Sequence, residues 1–172
     1  MCIVKRGFWP IVILAIVAAV TTAKAFELAN IPPRKPVPST TLSVPAPDRQ
    51  GGDTIADAVA IPVIPFTDTG TTWGYGDDYD EVCPYAGSTS PDVVYRYTPP
   101  FEMVVDIDLC GSSYDTKVYV YGADQSLVVC NDDYYAPGDP CGAYVSRLEN
   151  VLLQAGVTYA IVVDGYGGAS GD

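Results

Sequence analysis

The run Met103-Val104-Val105-Asp106-Ile107-Asp108-Leu109 decides the fold class. In an extended chain Met103, Val105, Ile107 and Leu109 share one side, and Val104, Asp106 and Asp108 share the other. That period of two predicts a half-buried β-strand with both aspartates facing water. Similar short β-rich runs flank it at 93–97, 116–121 and 126–130, separated by Gly, Pro, Asp and Ser turns. Gly122-Ala123-Asp124-Gln125 has the composition of a hairpin loop. The stretch 157–163 is apolar on both faces, as a central strand is, and Gly156 supplies the turn before it. A weaker pair, 59–64 and 69–75, completes the inventory, and no convincing helix follows Gly51. About eight strands with short connections predict an all-β, antiparallel, jelly-roll-like sandwich.

Upstream, Lys5 and Arg6 precede an apolar run of 13 residues, Phe8 to Val20, and then Ala23-Lys24-Ala25. A positive end, a short apolar middle and a small-x-small site predict a signal peptide over 1–25. The run is too short to span a bilayer as a helix. Export into an oxidising compartment, secreted or periplasmic, is therefore expected, with cleavage removing Cys2 and leaving Cys83, Cys110, Cys130 and Cys141 to pair. Cys130 and Cys141 bracket one loop, which favours Cys130–Cys141 and Cys83–Cys110, although strands ending at Cys110 and Cys130 could also be neighbours. Residues 26–50 contain six prolines and read as an extended linker. All 13 tyrosines and the four remaining cysteines follow it, so 51–172 is the folded domain.

The full chain has 9 bases, 21 acids and a net charge of −12. Loss of Lys5, Arg6 and Lys24 with the leader would leave 6 bases and a charge near −15. Such a surface repels phosphate backbones and anionic membranes, and it favours cations.

In order along the chain stand Gly52-Asp53-Thr54, Ala58-Val59-Ala60-Ile61-Pro62, Thr69-Gly70-Thr71-Thr72 and Pro91-Asp92-Val93-Val94-Tyr95-Arg96-Tyr97. They are followed by Asp108-Leu109-Cys110-Gly111-Ser112-Ser113-Tyr114-Asp115-Thr116-Lys117-Val118-Tyr119-Val120-Tyr121, Cys130-Asn131-Asp132-Asp133 and Ala155-Gly156-Val157-Thr158-Tyr159-Ala160-Ile161-Val162-Val163-Asp164-Gly165. This ordered set resembles the bacterial pre-peptidase C-terminal (PPC) domain over roughly 51–172. The resemblance implies a non-catalytic accessory module of an exported protein, often calcium-binding, of the type appended to extracellular peptidases. It also implies that Gly171-Asp172 leads into a final strand beyond the present sequence, within a longer polypeptide with further domains. A second resemblance, to CUB domains, rests on Cys110-Gly111-Ser112-Ser113-Tyr114-Asp115 before Val118-Tyr119-Val120-Tyr121 and implies a similar extracellular adaptor.

The chain contains no histidine, so Ser-His-Asp and Cys-His catalysis in their usual forms are excluded. Asp68-Thr69-Gly70-Thr71 matches an aspartic-protease string, but no second Asp-Thr-Gly exists to form a dyad. A carboxylate-dependent hydrolase built on Asp68 is the competing expectation, and a binding module without catalysis is the leading one. Hard cations need several clustered oxygens, which Asp/Asn-rich loops provide. Two groups are candidate calcium ligands: Asp77, Asp78 and Asp80; and Asp115, Asn131, Asp132 and Asp133. Tyr75, Tyr79, Tyr134 and Tyr135 beside them are candidates for stacking on an extracellular polysaccharide or anchoring a protein ligand.

Overall fold

The structure is a computed structural model describing residues 1–5 and 50–172. The apolar run, Ala23-Lys24-Ala25 and the linker up to residue 49 lie outside the described residues. The described residues form nine strands: β1 Cys2–Lys5, β2 Val59–Ala60, β3 Phe66–Thr67, β4 Val93–Tyr97, β5 Met103–Asp108, β6 Thr116–Tyr121, β7 Leu127–Asp132, β8 Arg147–Leu153 and β9 Tyr159–Gly165. They make an all-β sandwich of one sheet ordered β3-β1-β5-β8 and a second ordered β2-β4-β9-β6-β7. The short β2–β4 pair is parallel and the other pairings are antiparallel.

Alternation along the strands builds the core between the sheets. Val105 and Ile107 of β5 and Leu148, Val151 and Leu153 of β8 meet Val93 and Tyr95 of β4, Val118 and Val120 of β6, and Ile161 and Val163 of β9. Removing each such side chain from water contributes about 1.5–3 kcal/mol. The second sheet is also covered on its outer face, where Ala58, Cys83, Val94, Tyr119, Tyr121, Ala160 and Val162 form a separate apolar cluster. Coverage on both sides explains why β6 and β9 are buried along their whole length. The expected central strand is β9, which runs between β4 and β6. The expected hairpin loop also forms, with Gly122 N–H donating to Ser126 O and Gln125 N–H to Gly122 O.

Asp106 departs from expectation: it is buried rather than facing water. Val105 pairs with Val151 and Ile107 with Leu148, so β8 carries one residue more than β5 between these pairs. Asn150 takes up the excess at φ 57°, and its N–H donates to Asp106 Oδ1 at 2.9 Å. A carboxylate capping a β-bulge is thereby drawn into the sheet. The same bulge breaks the period of two in Arg147–Leu153, which is why β8 escapes a reading by alternation.

The runs at 59–64 and 69–75 give little regular structure. Of the first run only Val59–Ala60 forms a strand and the second forms none, Thr72 N–H being held instead by Gly171 O at 3.0 Å, while Phe66–Thr67 between the two runs pairs with β1. Pro62 and Pro65 lack the donors a longer strand needs. β1 lies within the stretch read as a leader. It pairs with both β3 and β5, and Ile3 is 1% exposed in the inter-sheet core.

The disulfides are Cys83–Cys130 and Cys110–Cys141, with Cα separations of 6.0 and 4.7 Å. This corrects the expected Cys130–Cys141 and Cys83–Cys110 pairing. Cys130 lies opposite Tyr119 in β7 and packs with the outer cluster that contains Cys83. The loop after β7 turns back on itself, with Tyr144 N–H bonded to Tyr135 O, and carries Cys141 to the end of β5. Closeness in sequence loses here to the face on which each side chain emerges.

Candidate functional site

The second sheet's outer face carries a row of buried charge. Register places Lys117 of β6 beside Asp132 of β7 and Asp164 of β9. The pair Val93–Val163 sets Asp92 one residue further along, next to Asp164. Lys117, Asp92, Asp132 and Asp164 are all buried. The row holds down the segment that covers it. Lys117 Nζ donates to Glu81 O at 2.9 Å and Tyr85 O at 3.0 Å, and Asp92 Oδ2 accepts from the N–H groups of Asp78 and Tyr79. Asp164 accepts from Ser88 Oγ, Tyr119 OH and Gly165 N–H.

At the β7 end the row opens into a cavity of about 240 Å³ lined by Tyr85, Asp115, Asp132, Asp133, Tyr144 and Tyr166. Because β6 and β7 form a hairpin, the residue entering β6 returns beside those leaving β7. One carboxylate oxygen from each of Asp115, Asp132 and Asp133 lies within 4.8 Å of the others, the one such group of three among the described residues. Asp132 is 4% exposed, and its Oδ2 accepts no hydrogen bond; the Lys117 ammonium stands 4.0 Å away. Asp115 Oδ1 is likewise buried without a hydrogen-bond partner. Leaving such oxygens unsatisfied is costly, and a cation relieves that cost. Burial, reinforced by Asp133, Asp115 and Asp164, raises the Asp132 carboxyl to about 6 against the opposing pull of Lys117. Burial and Asp133 also raise Asp115.

The candidates from sequence are distributed differently. Asp77 and Asp78 are exposed, and Asp80 Oδ1 accepts from Ser88 N–H and faces Lys117 at 3.7 Å. Those three therefore do not converge. Asn131 turns its Oδ1 to Arg147 N–H, toward β8. Tyr75 donates to Gln50 O, Tyr79 accepts from Ile55 N–H, and Tyr135 lies between Asp108 and Arg147. Tyr134 is exposed, with the Arg147 guanidinium 5.5 Å from its ring centre. The rings that line the cavity are Tyr85, Tyr144 and Tyr166 instead, at 52%, 46% and 42% exposure. Among 13 tyrosines nothing local distinguishes these three in the sequence.

A larger cavity of about 510 Å³ contains Asp68 with Thr69, Gly70 and Thr71. Asp68 Oδ2 accepts from Tyr95 OH at 3.0 Å and Oδ1 from Thr69 N–H at 2.9 Å, the bonding of a turn anchored on the core. The smaller cavity has the stronger chemical demand, because its carboxylates converge with oxygens unpaired.

The buried row sets a pH dependence. Burial raises Asp92 to about 7 and Asp164 to about 6, although both accept hydrogen bonds that oppose the shift. Between an unfolded value near 3.8 and these folded values, the native state holds more protons than the unfolded chain. Their stabilising contribution is complete below about 3.8 and is lost as pH rises through 6 to 7. In EDTA the protein should therefore melt at a higher temperature at pH 5 than at pH 7.5, and Asp92→Asn should flatten the difference. A melting temperature that rises from pH 5 to 7.5 would contradict this.

No protein-family model, curated protein or solved structure matches the chain.

Proposed function

We propose that this chain is a calcium-stabilised, non-catalytic binding module of an exported protein, of the kind that PPC domains provide to extracellular peptidases. The observation that carries the reading is the convergence of Asp115, Asp132 and Asp133 around buried oxygens with no hydrogen-bond donor. Calcium takes about six to eight oxygen ligands and tolerates irregular geometry, which suits carboxylates from two strand ends. The two disulfides are compatible with an extracellular or periplasmic location. The positive end, short apolar run and Ala23-Lys24-Ala25 in the sequence, with the ordered PPC-like landmarks, support export and an accessory role, although β1 at the start of that stretch pairs within the sandwich.

Binding to the folded state alone stabilises by about 2.7 kcal/mol at a hundredfold excess over Kd. Melting curves in millimolar calcium and in EDTA should thus separate by several degrees at pH 7.5. Asp133→Asn should shrink the gap. Asp133 is exposed at φ 68°, a conformation asparagine tolerates well, so the variant removes charge without disturbing the fold. Coincident wild-type curves would eliminate the calcium reading.

A further inference from the structure

Asp115 and Tyr144 line two cavities at once. On one side is the 240 Å³ cavity with Asp132, Asp133, Tyr85 and Tyr166; on the other is one of about 340 Å³ with Ser112, Ser113, Tyr114, Gly142, Ala143 and Val145. Tyr144 is exposed. A ligand that uses both cavities runs past these two shared residues.

We propose that these two cavities bind a neutral saccharide chain, one sugar completing the calcium coordination through adjacent hydroxyls and the next lying against Tyr144. The inference rests on the calcium reading above. Monodentate coordination by three carboxylates fills about half of a calcium shell, and the remainder faces the cavity and its tyrosine rim. Charge then selects the incoming oxygens. Asp80, Asp115, Asp132 and Asp133 stand against one lysine, Lys117, so a bound divalent cation leaves no positive surplus to attract an anion. A carboxylate or phosphate ligand would add negative charge to a chain already at −12. Hydroxyls add ligand oxygens without charge. The weakly polar face of a sugar ring meanwhile suits an exposed tyrosine, which pairs an apolar body with a polar tip. Asp132 supplies the demand for the cation on which the saccharide would close: it is almost wholly buried, lines the cavity, and keeps Oδ2 free of hydrogen bonds, with the Lys117 ammonium 4.0 Å away.

The test applies the full chain to a printed array of neutral, sulfated and uronic-acid oligosaccharides, in millimolar calcium and in EDTA. Binding should favour neutral glycans, disappear in EDTA and strengthen from mono- to trisaccharide. Tyr144→Asn and Tyr166→Ser should each weaken binding roughly tenfold, as truncation of a well-packed aromatic contact does. Both should keep the wild-type calcium shift in melting temperature. Asparagine suits the φ of 64° at residue 144, so loss of the ring is separated from loss of the turn. Calcium-dependent melting without glycan binding would overturn the saccharide inference and leave the calcium reading intact. Binding only to acidic glycans, or undiminished binding in EDTA, would overturn it too. With no calcium shift at all, both readings fall together.

Discussion

Lys117→Met should destabilise the protein by about 3–5 kcal/mol, the range for removing one member of a buried charge group. Methionine matches the lysine stem closely in volume, so the loss is electrostatic rather than a cavity effect. Lys117 is 0% exposed and lies between Asp132 and Asp164 in the sheet. Without its ammonium those carboxylates lose their nearest positive charge, and Glu81 O and Tyr85 O lose a donor. Urea denaturation at pH 7.5 measures the effect. Lowering the pH to 5 should recover part of it, because protonated carboxyls no longer require a counter-ion. A change below about 1 kcal/mol would mean that Lys117 reaches water and that the row is not buried as a unit.

The second large effect belongs to Cys83–Cys130. Its sequence separation of 47 corresponds to about 4 kcal/mol in the chain-entropy account of disulfides. The bond also ties the covering segment to β7, so its loss removes a clamp from the outer apolar cluster. Replacing both cysteines by alanine keeps that cluster apolar and should lower the urea midpoint accordingly. Proteolytic mapping of the unreduced protein provides the companion measurement. Peptides joining Cys83 to Cys130 and Cys110 to Cys141 are expected, and a Cys130–Cys141 fragment would refute the connectivity.

Much of the inner core was legible because it follows simple periods. Met103 to Leu109 alternates, 157–163 is apolar throughout, and Gly122 to Gln125 breaks two β-rich runs at hairpin distance. β8 was not legible, since the bulge at Asn150 shifts its inward residues from a spacing of two to one of three. The outer layer was hidden for another reason. Its covering segment adheres through Asp92 and Lys117 bonded to backbone groups and Asp164 bonded to the Ser88 hydroxyl, and a lysine or aspartate at such positions ordinarily reads as solvent-facing. The acidic half of the candidate site could be read from the hairpin that returns Asp133 beside Asp115. Its aromatic half depended on where Tyr85, Tyr144 and Tyr166 converge from three separate loops, which no spacing encodes.

Lys117 belongs to two equilibria. Its ammonium faces Asp132, a wall of the candidate cation site, and it also holds the carbonyl of Tyr85, whose ring forms another wall. A cation bound at Asp132 competes for the charge that Lys117 partners and so changes how firmly Lys117 anchors Tyr85. Linkage makes this reciprocal: whatever factor separates cation affinity between the anchored and released states of the Tyr85 segment, bound cation shifts that segment's equilibrium by the same factor. Hydrogen exchange at residues 81–88, followed during a calcium titration, reports that single coupling constant from the side of the loop.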